Sequence, residues 1–311
     1  MTEGTRPGVP RRTVVAGLFA VVLPTAGCGI RLEDDAPRVP LVPTRTPVPA
    51  EPELVALTRD TATLAALAST VPGALAADLA TLHRRQHTVL RSTLVADGVP
   101  ATALDATPSA SPTPTASPTA TPGSRTRLAA AEAASAAGAA GFAGVEDDLR
   151  ATVASLHAQR YAAASLLRGR PPAVPSEPVG GDRVGTLATS TAGAVYFLEV
   201  VSARSTAGQR ARSDTTLAAL RGLLADQQAG GARADTSLGH PLPFPVDDAA
   251  DAARLARQSL TTLRTGYGEH LAPVVASDGG AGLAALARWL GTVEVEAHRW
   301  GVALEPFPGL T

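Results

Sequence analysis

Apolar residues recur every three to four positions along most of the chain beyond residue 52, and strict alternation is almost absent, so the pattern predicts helices. The segments fall at residues 53–70, 73–96, 125–142 and 145–168. After a break from Arg170-Pro171-Pro172 to Gly181 they resume at 183–206, 209–229, 247–275 and 279–303. At about 100° per residue, Leu283, Leu286, Leu290, Val293, Ala297 and Trp300 share one side of the last helix, with Trp289 outside its centre. Leu149, Val153, Leu156, Ala163 and Leu167 make the same kind of seam on the fourth. Prolines at 241, 243 and 245 part the sixth helix from the seventh, and Asp247 and Asp248 are placed to cap the exposed amides that follow. Two groups of four amphipathic helices, residues 53–168 and 183–311, predict an all-α chain of two bundles in series.

Two stretches break this pattern. Residues 28–52 carry a proline every few positions from Ala36 onward and predict an extended, stiff tether. Residues 105–124, with the run TPSASPTPTASPTATPG, are rich in Ser, Thr and Pro; they cannot bury enough apolar surface to fold and predict a disordered loop within the first bundle.

Residues 1–27 read as a signal peptide: Arg6, Arg11 and Arg12, then the apolar run from Val14 to Leu23, then Thr25-Ala26-Gly27 before Cys28. The run is shorter than the roughly 18–20 residues that span a bilayer. Small residues directly before a cysteine suit a lipoprotein peptidase, so Cys28 is the expected lipidation site and mature amino terminus, although Pro24 and Thr25 stand where a lipobox more often carries apolar residues. The alternative is an ordinary signal peptide with a free or intermolecularly paired thiol. Arg11-Arg12 also resembles a twin-arginine signal, so both the general secretory and twin-arginine routes stay open. The expectation is an exported chain on the outer face of the cell membrane, held there by lipid.

Charge and composition narrow the chemistry. A net charge of -1 lacks the basic footprint that nucleic-acid binding needs. Cys28 is the only cysteine, which excludes an internal disulfide and any cysteine-based zinc site. Every basic side chain except histidine is Arg, Asn is absent and Ile30 is the only Ile, a codon signature of GC-rich coding. Aromatics make up 3% of the chain, so Leu, Val and Ala must fill the cores.

Two charges fall on helix seams: Glu132 among Leu128, Ser135, Ala139 and Phe142, and Arg160 among Leu156, Ala163 and Leu167. A lone buried charge is costly, so the two are expected to pair as a structural buried ion pair, filling space that a metal would need. The alternative is an Arg160 that snorkels to the surface. Glu294 and His298, four apart on the last helix, with His270 on the seventh, are candidates for an incomplete metal or acid/base site. His83 and His87 share the same spacing, but Arg84 and Arg85 between them predict a solvated flank. No catalytic triad and no phosphate loop stands out.

Three stretches carry a resemblance: STAGAVYFLEVVSAR at 190–204, PLPFPVDDAADAARLARQ at 241–258 and EVEAHRWGVALEPFPGL at 294–310. Over residues 185–311 the chain resembles a ferritin-like domain family of unknown function common in exported proteins of high-GC Gram-positive bacteria. LAADLATLHRRQHTVL and RLAAAEAASAAGAA resemble the companion helices that precede it. The resemblance implies two consecutive ferritin-like four-helix bundles, but it does not imply iron. Di-metal centres of that type use Glu-x-x-His motifs, of which the chain has none, and Thr191-Ala192 stands where relatives tend to show a Glu-His pair.

The resulting expectation is a non-catalytic binding or structural envelope protein with no cofactor, whose partners are the membrane and an envelope protein or ligand, not nucleic acid. The alternative is a metal-dependent oxidase or metal-storage protein using iron or manganese at Glu294, His298 and His270.

Overall fold

The computed structural model describes residues 45–105, 124–174, 177–235 and 239–310. The signal peptide with Arg11-Arg12, Cys28, the tether up to residue 44 and the Ser/Thr/Pro run at 107–123 lie outside the described residues. Among the described residues the structure is all-helical, with no strand. Helices are α1 (Glu51–Ser69), α2 (Ala74–Ala96), α3 (Ala101–Asp105), α4 (Arg125–Ala137), α5 (Asp147–Arg168), α6 (Asp182–Arg204), α7 (Ala207–Ala229) and α8 (Ala249–Arg299).

Several expected boundaries shift for identifiable reasons. The tether stops short of residue 52, because Pro52 fits the first turn of α1, where no intrahelical amide is needed. Just before it, Val48 is buried and its amide donates to Glu51, which also pairs with Arg45 at 2.5 Å. The helix expected over 125–142 ends at Ala137, and a short 3-10 turn, Ala139–Phe142, follows Gly138. Asp248 alone caps α8, accepting from the amides of Ala250 and Asp251 at 2.8 and 2.9 Å, while the Asp247 amide donates to Asp251.

Helix α8 is two arms. Gly279 has φ 56° and ψ −130°, a conformation open to glycine and strained for other residues. In a straight helix Arg264 and Glu294 would stand about 45 Å apart; here their side chains meet at 3.1 Å. The chain therefore reverses at Gly279 without a loop, and the arms run antiparallel.

Helix α1 packs on α2 and α4, α4 on α5, and α6 on α7 and α8. The strongest pairing, α5 with α8, joins the two halves. At Gly291 an added Cβ would stand 2.6 Å from Tyr161 and 2.8 Å from the Ala158 carbonyl, so the missing side chain lets α5 and α8 approach. The core accordingly does not divide at residue 168 as two bundles in series would have it. One apolar cluster runs from Leu54 and Leu90 through Val153 and Leu156 to Leu198, Leu260 and Leu290, and a second gathers Leu64, Leu79, Leu128 and Leu167. The described residues from Arg45 onward form one compact unit. Helix α6 is long and apolar enough to cross a membrane, yet Val184, Leu187, Leu198 and Val201 pack into this core.

Candidate functional site

The seam of α2 passes through Leu79, His83, Gln86, Leu90 and Leu94, spaced by four, three, four and four, so two polar residues are carried into the interior. Glu132 of α4 and Arg160 of α5 meet them there, and all four side chains are fully buried. His83 Nε2 lies 2.6 Å from Glu132 Oε1, and its Nδ1 lies 2.5 Å from the Arg160 guanidinium and 3.1 Å from Gln86 Oε1; since a guanidinium can only donate, Nδ1 is assigned as the acceptor and Nε2 as the donor to Glu132. This assignment makes the imidazole neutral, and burial, with Arg160 beside it, holds its pKa below the usual histidine value. Arg160 Nη1 lies 3.5 Å from Glu132 Oε2, an ion pair too long for a good hydrogen bond. Its Nη2 donates to Thr61 at 3.0 Å, whose hydroxyl in turn donates a hydrogen bond to the Leu57 carbonyl. Gln86 donates to Gln159 and to the Pro306 carbonyl. His83 thus leaves the solvated flank expected of it, while His87 is half-buried one turn further on.

A second polar cluster lies between the arms of α8 and the tail after it. Arg264 donates to Glu294 Oε2 at 3.1 Å, to Glu305 at 2.5 Å and to the Ala303 carbonyl at 3.2 Å. The other Glu294 oxygen accepts the Glu305 amide at 2.9 Å. Burial pushes the Glu294 pKa up, and Arg264 opposes that shift. The tail is gripped from the first half as well: Ser155 donates to the Pro308 carbonyl at 2.7 Å, beside the contact of Gln86 with Pro306. The element PFPGL is therefore wedged between the two halves of the core.

Glu294, His298 and His270 do not assemble. From the level where Arg264 meets Glu294, His270 lies about 9 Å along one arm towards Gly279, and His298 about 6 Å along the other arm away from it. His298 lines a separate cavity of about 340 Å³ with Asp78, Arg85 and Leu304. Both oxygens of Glu294 are already taken. Among the described residues no group of three or more His, Cys, Asp or Glu is arranged to hold a metal ion. Thr191, where the resembled family tends to carry a Glu-His pair, instead bonds the Tyr267 hydroxyl at 2.9 Å, and Gln227 donates to that hydroxyl at 2.5 Å. The residues present do not fit a ferritin-type metal centre.

No protein-family model matches the chain, and no curated protein or solved structure matches it.

What the two clusters do chemically is hold. Each carboxylate at a helix junction faces a guanidinium, and little exposed surface is left for a substrate. An opening of different character lies between α6, the first arm of α8 and the 239–245 segment: a cavity of about 440 Å³ with mostly apolar walls, including Phe197, His240, Ser259, Leu263 and Gly266. Periodicity missed it because it depends on where the proline-rich segment folds back. Arg264, by contrast, was legible: it follows Leu260 and Leu263 on an apolar seam, as Arg160 does on its own.

Proposed function

We propose that this chain is an exported lipoprotein, held on the outer face of the cell membrane by an acylated Cys28, and that its folded part is a non-catalytic binding or structural scaffold. The scaffold is a ferritin-like variant in which α1, α2, α4 and α5, and α6, α7 and the two arms of α8, are four-helix groups sharing one core. One observation carries the non-catalytic part. The fully buried carboxylates Glu132 and Glu294 each face a guanidinium, Arg160 and Arg264, which takes the place a metal ion would need. The anchor rests on the amino-terminal pattern that ends at Cys28.

Both parts are tested on the protein purified from its membrane fraction. Mass spectrometry of the mature amino terminus is expected to find diacylglycerol on Cys28, and Cys28→Ser is expected to move the protein out of the membrane fraction; a free thiol at that position refutes the anchor. Metal analysis is expected to find no stoichiometric metal. Iron or manganese bound at one equivalent, and lost in Glu294→Ala, would replace the scaffold reading with that of a metal enzyme or store.

A further inference from the structure

We propose that the cavity between α6, the first arm of α8 and the 239–245 segment binds a small, neutral molecule with a planar ring and one hydrogen-bonding group, such as a ring hydroxyl, carbonyl or amine. The inference deepens the binding reading above by naming where and what the scaffold binds.

Its volume of about 440 Å³ lies within the range of small-molecule sites. No Asp, Glu or Arg lines it, so a charged ligand would lose its hydration without compensation. Ser259 supplies a point of attachment. Its side chain is 6% exposed, it lines the cavity, and its hydroxyl has no hydrogen-bond partner. Buried helical hydroxyls elsewhere in the chain, such as Thr58, Thr61 and Thr191, turn back onto the carbonyl four residues earlier. The lining hydroxyls of Thr189 and Ser190 do the same. Ser259 is left able both to donate and to accept, and an unmet buried polar group is costly unless a ligand satisfies it.

The aromatic residues favour a planar ring. Phe197 and His240 line the cavity with centroids 5.8 Å apart, and Tyr196 holds the His240 ring from behind at 5.5 Å, edge to face. The imidazole lies against Gly193 on α6, where an added Cβ would be in ordinary contact with it at 3.5 Å. Such ring edges and faces suit an aromatic or quinonoid guest.

The test titrates the full chain with phenylnaphthylamine, a neutral aromatic amine that fluoresces when it leaves water. Saturable one-to-one binding is expected. Gly266→Leu should weaken it at least tenfold, because Gly266 lines the cavity and an added Cβ there meets nothing within 4 Å, which leaves the larger side chain free to occupy that space. That change also raises helix propensity, so the fold should hold. Thr262→Trp, at the exposed rim, should do likewise from outside. Ser259→Ala should weaken binding by about 3- to 10-fold, the value of one net hydrogen bond. The sulfonated relative, anilinonaphthalene sulfonate, should bind at least tenfold more weakly than the neutral amine. Non-saturable uptake, equal binding of the two dyes, or undiminished binding by Gly266→Leu or Thr262→Trp with an unchanged melting temperature overturns the proposal. Because the anchor is read separately at Cys28, failure here leaves that part of the functional reading standing.

Discussion

Gly268, in the first arm of α8, lies so close to Gly309 in the carboxyl-terminal tail that a Cβ added at 268 would overlap the Gly309 carbonyl oxygen, while one added at 309 would stand 2.9 Å from the Gly268 Cα. Gly309 also has φ +79°, which disfavours any other residue. Two residues back, Gly266 has open space around its missing side chain. Two glycines in the same helix should therefore answer alanine with opposite signs.

Gly266→Ala is expected to stabilise the chain by about 0.5–1 kcal/mol through helix propensity alone. Gly268→Ala is expected to cost about 1–3 kcal/mol, the usual range for overpacking, because it must push the tail away. Urea denaturation measures both changes. Hydrogen exchange at the Glu305 amide locates the second, since that amide is held by Glu294 only while the tail is seated. Equal effects at the two positions would mean that the tail does not pack on α8.

The buried quartet around Arg160 predicts a different pattern. Glu132→Gln leaves Arg160 without its carboxylate, and Arg160→Met leaves Glu132 with a neutral histidine, so each is expected to cost about 3–5 kcal/mol. Replacing both with Glu132→Gln and Arg160→Met should cost clearly less than the sum, because neither charge is then stranded. A double-mutant cycle by urea denaturation reads the coupling. Strict additivity would mean that the two charges do not sense one another across their 3.5 Å separation.

These two cases mark what the sequence made legible. The helices follow from apolar spacing, and Glu132 and Arg160 stood out because a charge on an apolar seam contradicts its neighbours. His83 obeys the same rule, on the seam of Leu79, Gln86 and Leu90, but adjacent Arg84 and Arg85 masked it as part of a wet flank. The joining of the halves was harder to see. In α5 every residue from Val153 to Ser165 is buried. A helix buried all round should be central, yet its sides are filled in part by Ala154, Ala158, Ala162, Ala163 and Ala164, whose small side chains give periodicity little to register. The tail and the 239–245 segment were out of reach for another reason. Proline-rich segments have no repeating pattern, so nothing local tells which helices they fold against. The pairing of Arg264 with Glu305 accordingly depends on where the tail is seated.

The pH dependence of stability should report on His157. Its ring is buried against Phe142, with Nδ1 donating to the Ser135 carbonyl at 3.1 Å and Nε2 without a partner. Burial, with Arg160 nearby, lowers its pKa to about 3 from the ordinary 6.5. The folded chain thus refuses a proton that the unfolded chain accepts. This contribution to stability is complete above pH 6.5 and is lost as the pH falls from there towards about 3. The slope for one proton is about 1.4 kcal/mol per pH unit. His83, whose pKa is also lowered, adds a loss of the same sign. His157→Phe keeps a ring of similar size and leaves the Ser135 carbonyl its bond from the Gly138 amide. At pH 7 the variant should therefore lie within about 1.5 kcal/mol of the parent, the range of a volume-conserving core exchange. Between pH 6 and pH 4 it should lose less stability than the parent, by roughly 1 kcal/mol or more per unit. Urea denaturation of both proteins across that range measures the difference, and parallel curves would show that His157 takes up its proton in the folded chain.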